Sequence, residues 1–211
     1  LNINKINLRE YNCTPTIGFC GHVDSHKTII FIKLLIRLLK NIKYYLKIAP
    51  NYIGPIVPPT YKRGKVLNYL DLAPNINTEF IRRPTYHGGV KLSDKNFHSI
   101  KAEFINNIIE TDYTICIRGS GNFSTRLYET LALGRIPVFI NTNCVMPFHE
   151  EIDWRRHVVW IEEDEINDIE SIILKFHHSL SSKEFINIQK NNRYLWEKYF
   201  SFQGYYTELS N

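Results

Sequence analysis

Between residues 113 and 140 the chain reads strand, glycine loop, helix, strand, and few folds accept that order. Tyr113-Thr-Ile-Cys-Ile117 is an apolar run of strand length. Arg118-Gly-Ser-Gly-Asn122 reads as a loop. Helical spacing runs from Ser124 to Leu133, with Leu127, Leu131 and Leu133 assigned to the core and Gly134 at the C′ position. Ile136-Pro-Val-Phe-Ile140 is the next strand. Strands that alternate with helices imply a parallel α/β sheet, Rossmann-like, with helices on both faces.

The rest of the chain extends this pattern. A strand is expected over residues 16–21 and a helix over 28–48, with Ile32, Leu35, Leu39 and Ile42 on one face. A Pro-rich loop, 50–59, precedes a short helix at 64–72 and a strand at 77–82. A glycine-containing loop, 84–93, leads to a helix at 98–109 striped by Ile100, Phe104 and Ile108. A further strand is expected at 157–161, then helices at 165–180 and 183–199. With 211 residues and neither repeat nor linker, a single domain over 1–211 is the simplest reading, its core at 14–162 and C-terminal helices at 163–211.

Hydrophobic residues make up 44% of the chain, enough for a sizeable core and against disorder. The net charge of +5 suits an anionic ligand, but the scattered cations do not form the basic face of a nucleic-acid binder. Cys13, Cys20, Cys116 and Cys144 fit no metal-binding spacing and read as buried thiols, a Cys20–Cys116 disulfide being compatible with the strands they end. The most apolar run, 28–39, is too short to cross a membrane and is broken by Lys33 and Arg37. No signal peptide is visible, although the chain opens on Leu1 and its true N-terminus is expected upstream. Trp154 and Trp160 read as core or strand residues, and His177 and His178 as surface residues.

Ligands of open α/β sheets bind beyond the C-terminal ends of the strands, where the 118–122 loop falls. Gly119 and Gly121 let backbone approach a ligand, and the following helix start suits a phosphate. Arg126 and Glu129 share one face of that helix, placing a bidentate anion grip one turn before a carboxylate suited to vicinal ribose hydroxyls. A surface ion pair would use the same spacing. Residues 119–124 also approach a dinucleotide fingerprint, but its third glycine is replaced and the next strand ends in Asn141-Thr142 without the required acid, so an NAD-dependent oxidoreductase is the lesser alternative. His22, Asp24 and His26 form a polar loop that lacks a further metal ligand, leaving His22 and Asp24 as weak candidates for a general base. Arg82 and Arg83 are candidate phosphate contacts. Asn12-Cys-Thr14 and Asn122-Phe-Ser124 are glycosylation sequons, and a glycan at the second would block the loop.

The segment from Cys116 to Val138, with its Cys-x-Arg-Gly loop, Arg-x-x-Glu helix and Gly-x-Ile-Pro-Val strand, resembles the exostosin family, glycosyltransferase family 47. Met146-Pro-Phe148, Ile152-Asp-Trp154, Ile17-Gly-Phe-Cys-Gly21, Phe80-Ile-Arg-Arg83 and Tyr86-His-Gly-Gly89 extend the likeness to about residues 16–160. The resemblance implies the nucleotide-sugar-binding C-terminal half of a GT-B glycosyltransferase. It implies Arg126 on the diphosphate, Glu129 on the ribose, and Arg118, Gly119, Ser120, Gly121 and Ser124 around the phosphates and sugar. The expected reaction moves a sugar from a nucleotide diphosphate sugar, a uridine diphosphate sugar above all, to a glycan hydroxyl, with inversion, without metal and with no cofactor. A two-domain enzyme needs more chain than this, so an N-terminal acceptor domain is expected to be missing. A non-catalytic nucleotide-binding domain is the alternative. The expected setting is cytoplasmic or membrane-peripheral, or the Golgi lumen if an anchor precedes Leu1.

Overall fold

The computed structural model describes residues 6–24, 27–48, 57–85, 89, 96–119 and 121–209. Five strands form one parallel sheet: β1 (Thr16–His22), β2 (Asn77–Arg83), β3 (Tyr113–Cys116), β4 (Ile136–Asn141) and β5 (Val159–Glu162). Their order across the sheet is β2-β1-β3-β4-β5. Connections run leftward from β1 to β2 and rightward from β2 onward, so the chain reverses direction between β1 and β3. An open α/β sheet holds its ligand crevice at such a switch point, past the carboxyl ends of the strands.

The core follows the two-residue period of the strands. Ile17, Phe19, Tyr113, Ile115, Ile136, Val138, Val159 and Ile161 face one cluster, with Val66, Leu67 and Leu70 of α2 (Pro59–Asp71) and Ile169 and Ile173 of α5 (Ile169–His178). Cys116 and Phe139 face the other way, toward Leu127 and Leu131 of α4 (Thr125–Ala132) and Leu195 of α6 (Ser182–Leu195). Between β2 and β3 lies α3 (Phe97–Ile109), which packs on β1. Gly134 ends α4 with φ +63°, where a side chain would be strained.

The expected elements are present with shifted ends. The last strand starts at Val159, after a 3-10 turn over Trp154–Arg156. The helix expected from 165 begins as a 3-10 stretch, Glu163–Asp168, before α5. After α6 the chain takes a π-helical turn, Trp196–Phe200, and adds α7 (Phe202–Leu209), which lies beyond the helices expected from periodicity. The first helix, α1 (Lys27–Tyr45), has its apolar face as expected, but that face meets solvent: Ile32, Leu35, Leu39 and Ile42 are exposed.

His177 corrects its surface assignment: it is fully buried, whereas His178 is exposed. Its Nε2 faces the Asn12 carbonyl at 2.7 Å and so carries the proton, and Nδ1 accepts from the Tyr113 hydroxyl at 2.8 Å. Tyr11 stacks on the ring at 4.6 Å. The imidazole thus ties the N-terminal segment to β3 and α5. Arg135, also buried, donates to the carbonyls of Ile109 (2.7 Å), Asn7 (2.8 Å) and Leu133 (3.2 Å). Trp154 is buried and donates to the Pro147 carbonyl at 3.0 Å, and Trp160 packs on Phe139. All four cysteines are free; Cys20 and Cys116 are buried as expected, Cys144 is half-buried, and Cys13 is exposed, against its expected burial. Burial pushes the Cys116 thiol up to about 12, so it stays protonated.

Candidate functional site

A cleft of about 1070 Å³ runs along α4 from the carboxyl ends of β1 and β3, at the switch point, back to Asn7, Ile109 and Arg135 near the amino ends of β3 and β4. Cys20, Gly21 and His22 enter it from β1, and Gly119, Gly121 and Ser124 from the loop after β3. Arg126 and Glu129 project into it from α4, while Leu127 and Leu131 on the opposite side of that helix are buried. Leu133, expected in the core, instead lines the cleft, half-buried. Ser120 and His26, with Tyr86, His87 and Gly88, lie outside the described residues.

Arg126 is held on several sides. Its Nη2 donates to the Cys20 carbonyl at 2.7 Å, and its guanidinium lies over Phe19 at 4.5 Å and Phe104 at 5.6 Å. Aromatic packing of this kind fixes the planar fork before any ligand arrives. Gly21 makes room for it, since a Cβ there would stand 2.7 Å from Nη2. Ser124 precedes α4 with extended backbone and no capping bond from its own side chain, so the helix start is open toward the cleft.

The structure adds Arg63, from α2, which sequence spacing alone did not single out. Its guanidinium donates to the His22 carbonyl at 3.2 Å and to the Arg118 carbonyl at 3.0 Å, so one side chain bridges the ends of the two strands that frame the cleft. Arg63 lies 55 residues from Arg118 in sequence. A helix-borne arginine reads as a solvated face until the fold brings it there. Arg37 of α1 also lines the cleft. Burial makes both Arg37 and Lys62 easier to deprotonate, and the like charge of Arg118 adds to this. The Arg118 Nε is itself buried with no hydrogen-bond partner among the described residues. Of these cations Arg37 and Arg63 line the cleft, whereas Arg118 and Lys62 stand beside it and are not part of its wall; the concentration of positive charge favours an anionic occupant.

Arg82 and Arg83 separate. Arg83 lines the cleft, but it pairs with Glu103 and donates to the Ile100 carbonyl at 3.1 Å. Arg82 pairs with Asp71 and lies over Phe80, and it is not part of the cleft wall. As neighbours on a strand the two point to opposite faces, so at most one can reach a ligand.

His22 lines the cleft with its Nε2 3.4 Å from Asp24. Burial lowers the His22 pKa against the opposing pull of Asp24, so the ring is neutral at physiological pH. Burial would raise the pKa of Asp24, but the bonds from Lys33 (2.7 Å) and Thr60 more than offset it and keep the carboxylate charged. Among the described residues no group of three His, Cys, Asp or Glu is placed to hold a metal ion. Asn122 donates to the Asn143 carbonyl at 3.0 Å and accepts from Thr142 at 2.9 Å, so its amide nitrogen is already engaged.

The Arg126–Glu129 helix and the strand after it sit inside the stretch that relates this chain to known proteins. A model described as the Exostosin GT47 domain matches residues 71–176, half of the chain. The chain belongs to the exostosin family. It is 30% identical to human exostosin-2 over 152 residues, which is 72% of this chain and 19% of that protein. It is 30% identical to Drosophila melanogaster exostosin-1 over 89 residues, 41% of this chain and 11% of the relative. A probable glucuronosyltransferase of Oryza sativa, GUT1, is 33% identical over 61 residues, 29% of this chain and 15% of the relative. This exostosin-family chain therefore spans about a fifth or less of the length of these relatives. A solved structure of TarM aligns with 98% of the chain and 37% of its own, at 13% identity and a TM-score of 0.44. The family match begins at Asp71, so His22 and Arg63 reach the cleft from outside the matched segment.

Proposed function

We propose that this chain binds a nucleotide diphosphate sugar, with uridine diphosphate as the nucleotide. In this reading it is the donor half of a GT-B glycosyltransferase that passes the sugar to a glycan hydroxyl, with inversion and without a bound metal. The observation that carries the reading is Arg126, locked against Cys20, Phe19 and Phe104 at the mouth of the switch-point crevice, with Glu129 one turn deeper. Arg126 and the open start of α4 take the diphosphate, with the charge of Arg118 adding from beside the cleft, and Glu129 takes the ribose hydroxyls.

In the reaction the acceptor oxygen bonds to the anomeric carbon on the face opposite the diphosphate. The bond from that carbon to the phosphate oxygen breaks, and the diphosphate leaves with the electron pair. Arg118 and Arg126 stabilise the charge that develops there. His22 is the better of the two base candidates: it is neutral and oriented by Asp24, whereas Asp24 is committed to Lys33 and Thr60. The acceptor proton goes to His22.

Calorimetric titration with uridine diphosphate, against guanosine diphosphate and NAD, tests the donor site. Micromolar binding of uridine diphosphate alone, lost in Arg126→Ala and Glu129→Ala, is expected. Absence of binding, or binding indifferent to both substitutions, refutes the assignment. The similarity to a probable glucuronosyltransferase of rice puts uridine diphosphate glucuronic acid first in a later donor screen.

A further inference from the structure

The first helix carries a surface that the donor site does not use. Among the described side chains of α1, only Ile30 is buried. Phe31, Leu35, Leu38, Ile42 and Tyr45 follow one another at i, i+4, i+7, i+11 and i+14, a single stripe on a helix. Ile32 and Leu39 widen it. All seven expose between 43% and 72% of their surface. None of them lines the cleft; α1 turns Lys33, Ile36, Arg37 and Lys40 that way instead. The apolar stripe therefore faces outward from the body of the protein.

The charge beside the stripe indicates what covers it. No acidic residue occurs between Asp24 and Asp71, and α1 itself carries five Lys and Arg, of which Lys33, Arg37 and Lys40 turn toward the cleft. Lys43 and Lys47 stand exposed at the C-terminal end of α1. Two copies of this face would bring like charges together. A surface that is apolar underneath and negative at its rim matches both features. No helix among the described residues is long and apolar enough to cross a membrane, and the cations within α1 require it to lie flat.

We propose that α1 is an interfacial anchor that lays its Phe31–Tyr45 stripe into an anionic lipid bilayer, with Lys43 and Lys47 against the headgroups. The mouth of the cleft, which α1 borders, is thereby held at the membrane surface. The inference does not depend on the donor assignment, because the stripe and the cleft use different sides of α1.

Flotation of the purified chain with vesicles tests it. Vesicles of phosphatidylcholine with one-third phosphatidylserine should carry the chain upward, pure phosphatidylcholine much less, and raised salt should weaken the binding. Leu35→Glu with Leu39→Glu should abolish flotation while leaving the melting temperature and uridine diphosphate binding unchanged, since both side chains already face solvent. Lys43→Glu with Lys47→Glu should lower partitioning by roughly tenfold or more. The proposal is overturned if the chain floats with neither vesicle, or floats equally well in the Leu35→Glu/Leu39→Glu variant. Self-association in the absence of lipid that the same variant removes would also overturn it, because the stripe would then be a protein interface.

Discussion

Replacing Gly21 with alanine moves Arg126 without removing its charge. A Cβ at position 21 would stand 2.7 Å from Arg126 Nη2 and 3.2 Å from Phe19 Cζ. Ordinary contact between heavy atoms begins near 3.5 Å, so the guanidinium must retreat by about 0.8 Å. That retreat disturbs the 2.7 Å bond to the Cys20 carbonyl and the packing on Phe19. The clash falls on the far end of a flexible side chain, so the fold should tolerate the change. A charged hydrogen bond contributes about 1.5–3 kcal/mol, and a misaligned one loses part of this. Uridine diphosphate should therefore bind Gly21→Ala about tenfold more weakly, near 1.4 kcal/mol. Arg126→Ala removes the grip outright and should cost on the order of 10- to 150-fold. The decisive measurement is the double-mutant cycle by calorimetry. With Arg126 gone, the added methyl should have almost no further effect. Affinity unchanged in Gly21→Ala, or an equal loss in both backgrounds, refutes the claim that Arg126 is positioned for the ligand.

Two further predictions follow from neighbouring structure. Arg63→Ala leaves the His22 and Arg118 carbonyls without their bridge and should lower stability by about 1–3 kcal/mol in urea titration, with weaker uridine diphosphate binding; Arg63→Lys keeps the charge but cannot span both carbonyls, so wild-type behaviour in that variant counts against the bridge. Burial holds the His177 pKa below its ordinary 6.5, against the opposing effects of Asn12 and Asp112. The unfolded chain then binds the proton more readily, so this contribution is fully present above pH 6.5 and is lost as pH falls through the folded value. The urea midpoint should drop between pH 7.5 and pH 5 more steeply for the wild type than for His177→Gln, and parallel curves would show that His177 is not the titrating group.

The helix stripe on α1 shows how far periodicity reaches. Periodicity puts Ile32, Leu35, Leu39 and Ile42 on one face, and they share one, but spacing cannot say whether a face is covered. His177 shows the converse. Its place in a polar stretch of helix suggests solvent, yet Tyr11, Asn12 and Tyr113 close over it from segments more than 60 residues away. The pairing of Arg82 with Asp71 and of Arg83 with Glu103 was likewise invisible, because strand and helix partners meet only after the crossovers form.

What the sequence by itself determined is local. A 28-residue stretch, 113–140, fixes strand, loop, helix and strand through patterns of one or two turns, and places Arg126 beside Glu129 because three helical residues span nearly one turn. What tertiary structure decided is which distant groups share that space. The strand order β2-β1-β3-β4-β5 opens the crevice between β1 and β3, and it brings Cys20, His22, Arg37 and Arg63 to a loop and helix start 55 to 106 residues away along the chain. Contacts of that separation leave no periodic trace in sequence; they exist because parallel strands require crossovers, and crossovers return remote segments to one edge of the sheet.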